Sequence, residues 1–113
     1  VKQRLVNNQP IGAICGAVDY LAKSGLLNNY KHTGNAAYLW DEFDDYKNKQ
    51  NFIEKQVVRD HNLVTANGTA ALEFTSEVLK MIHFKDADAI ERQVALQKLG
   101  FYKYFMKYGN PFA

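Results

Sequence analysis

The chain has 113 residues, of which 47% are hydrophobic and 23% charged, and its formal net charge at pH 7 is +2. This composition is typical of one small globular domain, and the near-balanced charge gives no electrostatic reason to expect nucleic acid or an anionic membrane as partner. No apolar run approaches the roughly 20 residues of a membrane-spanning helix, and VKQRLVNNQP lacks the apolar centre of a signal peptide, so we expect a cytoplasmic protein.

The chain is predicted to open with a short helix followed by a buried strand. Val1 and Leu5 lie one helical turn apart before NNQP ends the pattern, so the sequence is expected to begin inside the last turns of a helix. The run from Ile11 to Ile14 is wholly apolar and does not alternate, which is typical of a strand buried on both faces of a parallel sheet.

A second helix is predicted to follow this strand almost at once. From Ala17 the spacing becomes helical, with Val18, Leu21 and Ala22 predicted on one side. Gly25 is expected to end the helix as a left-handed cap and to place Leu26 over Leu21, the hydrophobic contact of a Schellman ending. The only cysteine, Cys15, therefore lies with Gly16 in the turn between strand and helix, and a single cysteine cannot form an internal disulfide.

The segment 28–51 mixes turn residues with AAYLWDEFDDY, which is interpreted as a short helix. Its Tyr38, Trp40 and Phe43 are expected to pack the segment onto the sheet, with a roof over a pocket as the alternative. Four neighbouring carboxylates are interpreted as a solvated face, because the segment lacks the glycine turn of a hard-cation loop. They belong to Asp41, Glu42, Asp44 and Asp45.

The sequence from residue 56 to 82 predicts two strands and a helix. Gln56 to Arg59 and Leu63 to Ala66 are predicted strands, joined by a three-residue hairpin turn at residues 60–62. NGTAALEFTSEVLKMI follows directly, and Thr69 is expected to cap its helix. The apolar face of that helix is predicted to contain Leu72, Thr75, Leu79 and Ile82.

A last helix and an aromatic tail complete the predicted elements. Asp86 is expected to cap a helix carrying Ile90 and Val94, followed by an aromatic-rich tail from Leu99 to Tyr108. The FYKYFMKY of this tail mixes bases with aromatic residues, as some nucleic-acid-binding segments do. The near-neutral total charge instead favours an oligomer interface or a helix that covers the core.

Strand, glycine turn and helix thus occur twice, which is typical of an α/β sheet with helices on its faces. Ligands bind such sheets beyond the carboxyl ends of the strands, where Cys15 and the Asn67-Gly68 pair are placed. A side chain at a sharp strand-to-helix turn is lifted out of the sheet toward backbone N–H groups and a helix N-terminus, which favours the nucleophilic thiolate. Gly16 suits such a turn because it tolerates strained dihedrals. The alternative is a cysteine that simply packs in the core.

Three ordered motifs resemble a known family: PIGAICGAVDYLAKSGLL, KHTGN and VVRDHNLVTANGTAALEFTSEVLKMI. Over Val1 to Ile82 the chain resembles the C-terminal half of the ThiJ/PfpI family, in the class I glutamine amidotransferase-like superfamily, which includes protein deglycases and PfpI peptidases. The resemblance implies a flavodoxin-like three-layer α/β sandwich with a mostly parallel sheet. Residues 1–113 are then expected to form the C-terminal portion of one domain, with its N-terminal half as partner and a homodimer as the common assembly.

The resemblance also implies roles for individual residues. Cys15 matches a nucleophile that acts on a carbonyl or amide group of a small molecule or a modified protein, and the Gly16 N–H would help to bind the oxyanion. His32 resembles the histidine that other members bring near the cysteine, as base or substrate contact, although its loop is more typical of a solvated histidine. PfpI-type peptidases carry histidine where this chain has Gly16, which argues against a peptidase and leaves hydrolase, deglycase, glyoxalase-like or amidotransferase-like activity as the expectation. The second cleft loop, expected to bind substrate, is Asn67, Gly68 and Thr69.

Two classes of function remain open. The first is a cysteine-dependent enzyme whose acidic partner and second oxyanion donor lie outside this chain. The second is a non-catalytic stress, redox-sensing or chaperone protein whose thiol is oxidised. Three histidines and one cysteine show no close metal-ligand spacing, so neither a metal nor a cofactor is predicted, and His61 and His83 are expected at the surface.

Overall fold

A three-stranded sheet forms the centre of the protein in the computed structural model, which describes residues 1–111. Residues 112 and 113 of the predicted half-domain lie outside the described residues. Two short 3-10 turns, Ala37–Trp40 and Lys49–Asn51, lie in the long connection before the second strand. The helices and strands, in chain order, are α1 Lys2–Val6, β1 Ile11–Ile14, α2 Gly16–Lys23, β2 Val57–Asp60, β3 Leu63–Ala66, α3 Ala71–Met81 and α4 Ala87–Tyr108.

The strand order is β1-β3-β2, so the two α/β units predicted from the sequence lie side by side. β1 is parallel to β3, with Ile11 opposite Leu63, and β2 is antiparallel to β3. The prediction that β1 is buried on both faces is wrong for the described residues. All four residues of β3 are buried, whereas only Ala13 is buried in β1, because β1 pairs with a neighbour on one side only.

The β2–β3 hairpin is tighter than predicted. Asp60 pairs with Leu63 across the ladder, so the loop contains only His61 and Asn62, and the predicted three-residue turn is wrong by one residue. Asp60 takes a ladder position while its carboxylate accepts a hydrogen bond from the Lys31 backbone N–H at 2.8 Å. His61 has a positive φ of 51°, which is compatible with a tight two-residue hairpin loop.

Helix α2 ends as the sequence predicts. Gly25 has φ 73° and its N–H donates to the Ala22 carbonyl at 3.1 Å. The Leu26 N–H donates to the Leu21 carbonyl at 2.9 Å, which completes the Schellman pair of hydrogen bonds. Leu21, Ala22 and Val18 are all buried, so the predicted apolar face of α2 is confirmed.

Helix α3 begins one residue later than predicted and without the predicted cap. Its N-cap is Ala70, and no side chain caps the helix. The Thr69 hydroxyl instead donates to Asn67 Oδ1 at 2.8 Å, and the same oxygen accepts the Thr69 backbone N–H at 2.8 Å. Thr69 is therefore part of the turn before the helix, because its hydroxyl group is bonded to Asn67 and does not cap α3.

The face of α3 that packs on the sheet also differs from the prediction. A Cβ added at Gly12 would lie 2.9 Å from Phe74 and from Val78, so these two side chains fill the space that the strand glycine leaves. Thr75 and Ile82, which were predicted on the buried face, are exposed. Leu72 and Leu79 are half-buried, so the predicted stripe is right in part, and the glycine of the distant strand β1 leaves the space that Phe74 and Val78 fill.

Helix α4 continues through the predicted tail. Asp86 caps it as predicted, with its carboxylate accepting the Ala89 N–H at 2.9 Å, and Ile90 is buried. Gly100 bends the helix with φ 77° and ψ 168°. Beyond the bend Tyr104 is buried, while the other aromatic side chains stay largely exposed. Among the residues described, no helix combines the length and apolar character needed to cross a membrane.

Candidate functional site

Cys15 lies where β1 becomes α2, as predicted. Its N–H extends the parallel ladder by donating to the Ala66 carbonyl at 3.1 Å, and its carbonyl accepts the Val18 N–H at 3.0 Å to open the helix. Between these two bonds the chain reverses direction with φ 57° and ψ −125° at Cys15. A non-glycine residue rarely adopts such a conformation, which is a recognised form of stored strain at functional sites. The side chain is exposed at the N-terminus of α2.

Gly16 is the first residue of α2, and its role differs from the prediction. A Cβ added at Gly16 would meet nothing within 4 Å, and its φ is not positive. The strain of the turn is therefore carried by Cys15, and the expectation that glycine is needed here for its dihedrals is wrong. What Gly16 does contribute is a backbone N–H in the first turn of a helix, where N–H groups have no intrahelical acceptor.

The second cleft loop lies against the thiol. A Cβ added at Gly68 would lie 3.0 Å from Cys15 Sγ and 3.3 Å from its Cβ, so only glycine fits without displacing the sulfur. Asn67 Nδ2 donates to the Gly34 carbonyl at 3.4 Å, which ties this loop to the segment after His32. The structure thus brings the predicted loop and the predicted cysteine together.

Asn35, which the sequence reasoning missed, contacts the sulfur. Its Nδ2 donates to Cys15 Sγ at 3.4 Å, and its Oδ1 accepts the Gly68 N–H at 2.9 Å. Asn35 belongs to the KHTGN motif, in which the sequence predicts His32 as the candidate site residue. A polar amide directly after a glycine was the only available signal, because the sequence does not indicate which side chain of this loop turns toward the strand ends.

His32 is placed away from Cys15. It is fully buried against the rings of Trp40, Tyr46 and Phe52, at centroid distances of 6.0, 5.5 and 5.8 Å. Its Nδ1 lies 2.7 Å from the Tyr30 carbonyl and must carry the proton, so Nε2 accepts from the Tyr46 hydroxyl at 2.7 Å. Neither ring nitrogen is hydrogen-bonded to Cys15, so the prediction that His32 acts as a base for that thiol is wrong. The alternative of a solvated loop histidine is also wrong, because the ring is buried.

The pKa shifts of His32 and Tyr46 agree with a structural role for this hydrogen-bonded pair. Burial lowers the pKa of His32, although the hydrogen bond to the Tyr30 carbonyl acts in the opposite direction. Burial also raises the pKa of Tyr46 to about 12. Both groups are therefore neutral near pH 7. The backbone of His32 bonds residues 51 and 53, so the buried ring anchors the segment that carries Asn35.

Acidification is expected to destabilise the protein through His32. Because the pKa of folded His32 is lowered, the unfolded chain binds its proton first as the pH falls below ~6.5. The contribution of His32 to the free energy of unfolding is complete above that pH. It decreases by up to ~1.4 kcal/mol per pH unit as the pH falls toward the lowered pKa of folded His32. Urea unfolding between about pH 5 and about pH 7.5 measures this slope.

The matched comparison is between His32→Gln and His83→Gln. His83 is exposed, so its variant should keep the wild-type decline in unfolding free energy on acidification. His32→Gln should be less stable at neutral pH and should decline less steeply. Equal slopes in the wild type and His32→Gln contradict the prediction.

A cleft of ≈ 590 Å³ lies beside the segments that carry Asn35 and Asn67, and Cys15 is not among its lining residues. Asn35 lines this cleft, and its side chain also contacts Sγ, so this one residue connects the cleft with the sulfur. Asn67 and Thr69 line the same cleft, as do Tyr38, which is 72% exposed, and Phe52. Its charged lining residues are Lys49, Glu54 and Lys55.

The other aromatic, acidic and histidine residues singled out in the sequence have no contact with the Cys15 site among the hydrogen bonds and ion pairs described. Trp40 is buried and Phe43 packs on the core, so both serve packing. Asp41 pairs with Lys49 at 3.2 Å. Within residues 1–111 no three side chains of histidine, cysteine, aspartate or glutamate gather as a metal site would require, and the absence of a metal stays a prediction. His61 and His83 are exposed, as predicted.

Comparison with known sequences places this geometry in context. The model of the DJ-1/PfpI family matches residues 1–81. The chain is 56% identical over 112 residues to "Uncharacterized protease YdeA" of Bacillus subtilis (strain 168), covering 99% of this chain and 57% of the relative. It is 40% identical over 101 residues to "Uncharacterized protease YoaZ" of the same organism, covering 88% and 48%. The chain therefore spans about half the length of the curated relatives it matches.

Solved structures give the same result. A thiJ/pfpI family protein from Bacillus anthracis superimposes with a TM-score of 0.81 at 37% identity, covering 93% of this chain and 52% of that one. The DJ-1 superfamily protein Atu0886 from Agrobacterium tumefaciens gives 0.77 at 28% identity, covering 85% and 51%. These neighbours confirm the predicted flavodoxin-like α/β class, and this chain with its mixed three-stranded sheet covers about half of each of them.

Proposed function

Because this chain belongs to the DJ-1/PfpI family, we propose that its Cys15 is the nucleophile of a hydrolase acting on a carbonyl or amide group. The observation that carries the proposal is the exposed, conformationally strained Cys15 at the N-terminus of α2. Both curated relatives are named as uncharacterized proteases, which supports a hydrolytic class. Gly16 stands where PfpI-type peptidases have histidine, so the proposed substrate is a small molecule or a modified protein side chain.

The proposed reaction proceeds through a covalent intermediate. The Sγ thiolate uses an electron pair to bond the substrate carbon, and the carbonyl π pair moves to oxygen. The Gly16 N–H, supported by the positive end of α2, donates to that oxyanion. The oxygen pair then re-forms the carbonyl and expels the amine or alcohol, which takes a proton from solvent. One water molecule hydrolyses the thioester and restores the thiol, so each cleavage consumes one water.

The remaining catalytic groups are assigned to the part of the domain that this chain does not contain. Among residues 1–111, no carboxylate or imidazole is hydrogen-bonded to Sγ. The proposed source of the acid–base group and of a second oxyanion donor is the N-terminal half, since the relatives are about twice as long. The open edge of β1 and the exposed Tyr102 and Met106 of α4 are surfaces for that half or for a homodimer. A cytoplasmic location remains part of this proposal.

A redox role is the second candidate function. The exposed sulfur has one amide donor beside it, and no described acid or base bonds to it. Hydrogen peroxide would transfer one oxygen to the thiolate, giving a sulfenate and water, and a second peroxide would give the sulfinate. A stable adduct of two oxygen atoms after mild peroxide treatment, with no turnover of carbonyl substrates, favours this role over hydrolysis.

Alkylation of the native protein tests whether Cys15 is a nucleophile. Because the chain has one cysteine, intact-mass spectrometry with iodoacetamide reports this thiol alone. At about pH 5 we expect native Cys15 to react at least about tenfold faster than the same thiol in urea-unfolded protein, which is mostly protonated there. The unfolded protein is the matched control. A thiol that stays unmodified until unfolding contradicts both candidate functions and identifies Cys15 as a packing residue.

A further inference from the structure

We propose that Asn35 is a catalytic residue of the Cys15 site, whose amide N–H stabilises the thiolate before attack. This inference rests on the proposed function of Cys15, because a donor to sulfur matters only where the sulfur reacts. The position is on the segment between the buried His32 and the cleft, and the side chain reaches the reacting atom itself.

The hydrogen bonds fix which end of the amide faces the sulfur. The Gly68 backbone N–H can only donate, so the atom of Asn35 at 2.9 Å from it must be Oδ1. The amino group then faces Cys15 Sγ, at 3.4 Å. A thiol sulfur is a weak acceptor and a thiolate a strong one, so this arrangement favours the charged form.

The second cleft loop holds the amide in that orientation. Gly68 leaves no room for another side chain beside Sγ, because its added Cβ would lie 3.0 Å away. Asn67 Nδ2 also donates to the Asn35 backbone carbonyl at 3.5 Å. The Cys15 turn, the Asn35 segment and the Gly68 loop therefore meet at one amide group.

The expected size of the effect follows from two opposing changes. If loss of the donor makes Sγ ionise tenfold less readily, the thiolate population at acidic pH falls tenfold. Each remaining thiolate becomes about threefold more reactive, because nucleophilicity rises with basicity with a Brønsted coefficient of ~0.4–0.5. The net rate falls about threefold at acidic pH and rises about threefold where the thiol is fully ionised.

Charged groups on the surrounding elements do not replace Asn35. Asp19 of α2 accepts the Trp40 Nε1–H at 2.8 Å, and the cleft contains Lys49, Glu54 and Lys55. None of these four side chains is hydrogen-bonded or ion-paired to Sγ in the part of the chain that the structure describes. All four side chains are the same in the wild type and in the Asn35 variants, so the comparison between these proteins isolates the amide.

The test compares Asn35→Asp and Asn35→Ala with the wild type and with Asn29→Asp. Asn29 is exposed, and its variant makes the same charge change outside the cleft. The readout is the iodoacetamide rate constant of Cys15 in the full chain from about pH 5 to about pH 10. Asn35→Asp keeps an oxygen for Gly68 and turns a carboxylate toward Sγ, so its rate at about pH 5 should fall at least tenfold.

Asn35→Ala should show the crossing profile, about threefold slower at low pH and about threefold faster at high pH. Asn29→Asp should follow the wild type throughout. A merely structural role would change accessibility at all pH values alike and would give no crossing. If the pH–rate profiles of both Asn35 variants coincide with that of the wild type, the inference is overturned, and Cys15 remains the proposed nucleophile. A wild-type thiol that is inert in the native state overturns both.

Discussion

Replacing Trp40 with alanine is expected to lower the free energy of unfolding by about 3–5 kcal/mol. Trp40 is 1% exposed and forms edge contacts with Tyr46 and Phe52 at ring-centroid distances of 5.0 and 5.5 Å. Its Nε1–H donates to Asp19 on α2, and its ring lies 2.7 Å from where a Cβ at Gly34 would be. The alanine variant would leave a large void and an unpaired carboxylate, and the loop could not collapse to fill both.

Urea unfolding followed by far-ultraviolet circular dichroism measures this change, since the substitution removes the only tryptophan. Tyr38→Ala is the matched control. Tyr38 lies in the same 3-10 turn and is 72% exposed, so its loss should change stability by less than about 0.5 kcal/mol. A Trp40→Ala effect below about 1 kcal/mol would show that the aromatic cluster does not hold this segment.

Loss of the thiol is expected to have the largest effect on activity. Cys15→Ala should reduce hydrolysis of the activated ester p-nitrophenyl acetate at least about 100-fold, because no sulfur remains to form the acyl intermediate. The wild type should show a burst of p-nitrophenolate and the mass of one acetyl group on Cys15. Both signals should be absent from Cys15→Ala, which is otherwise expected to fold.

Asn29→Asp, which alters a surface residue outside the cleft, provides the control for turnover and should keep the wild-type rate. Cys15→Ser adds a sharper comparison, since it retains a nucleophilic atom of lower reactivity in the same turn. Hydrolysis that persists at the wild-type rate in Cys15→Ala would exclude the proposed mechanism. An acetyl adduct on another residue would locate the reactive group elsewhere.

The elements that sequence predicted best are those whose hydrogen bonds close over a few residues. The Schellman ending at Gly25 and the cap at Asp86 depend on neighbours within six positions, and both were predicted correctly. The strand-to-helix turn at Cys15 was also predictable, because an apolar run and a helical pattern meet there. Local chemistry is sufficient for each of these features.

The elements that sequence predicted poorly depend on distant partners. Phe74 faces the sheet because Gly12, far away in the chain, leaves room for it, and no periodicity within α3 reports that glycine. His32 is buried because three rings from other segments surround it, which removes it from the thiol and leaves Asn35 there. A motif such as KHTGN marks the right loop, but tertiary packing decides which of its side chains reaches the site.

The left-handed backbone at Cys15 has an evolutionary consequence. A non-glycine residue in that conformation costs about 1–3 kcal/mol, which glycine would largely avoid. Selection for stability alone would therefore replace this cysteine with glycine, and only selection for the thiol opposes that drift. In any descendant of this sequence, the residue at the turn between β1 and α2 becomes a record of whether its chemistry is still under selection.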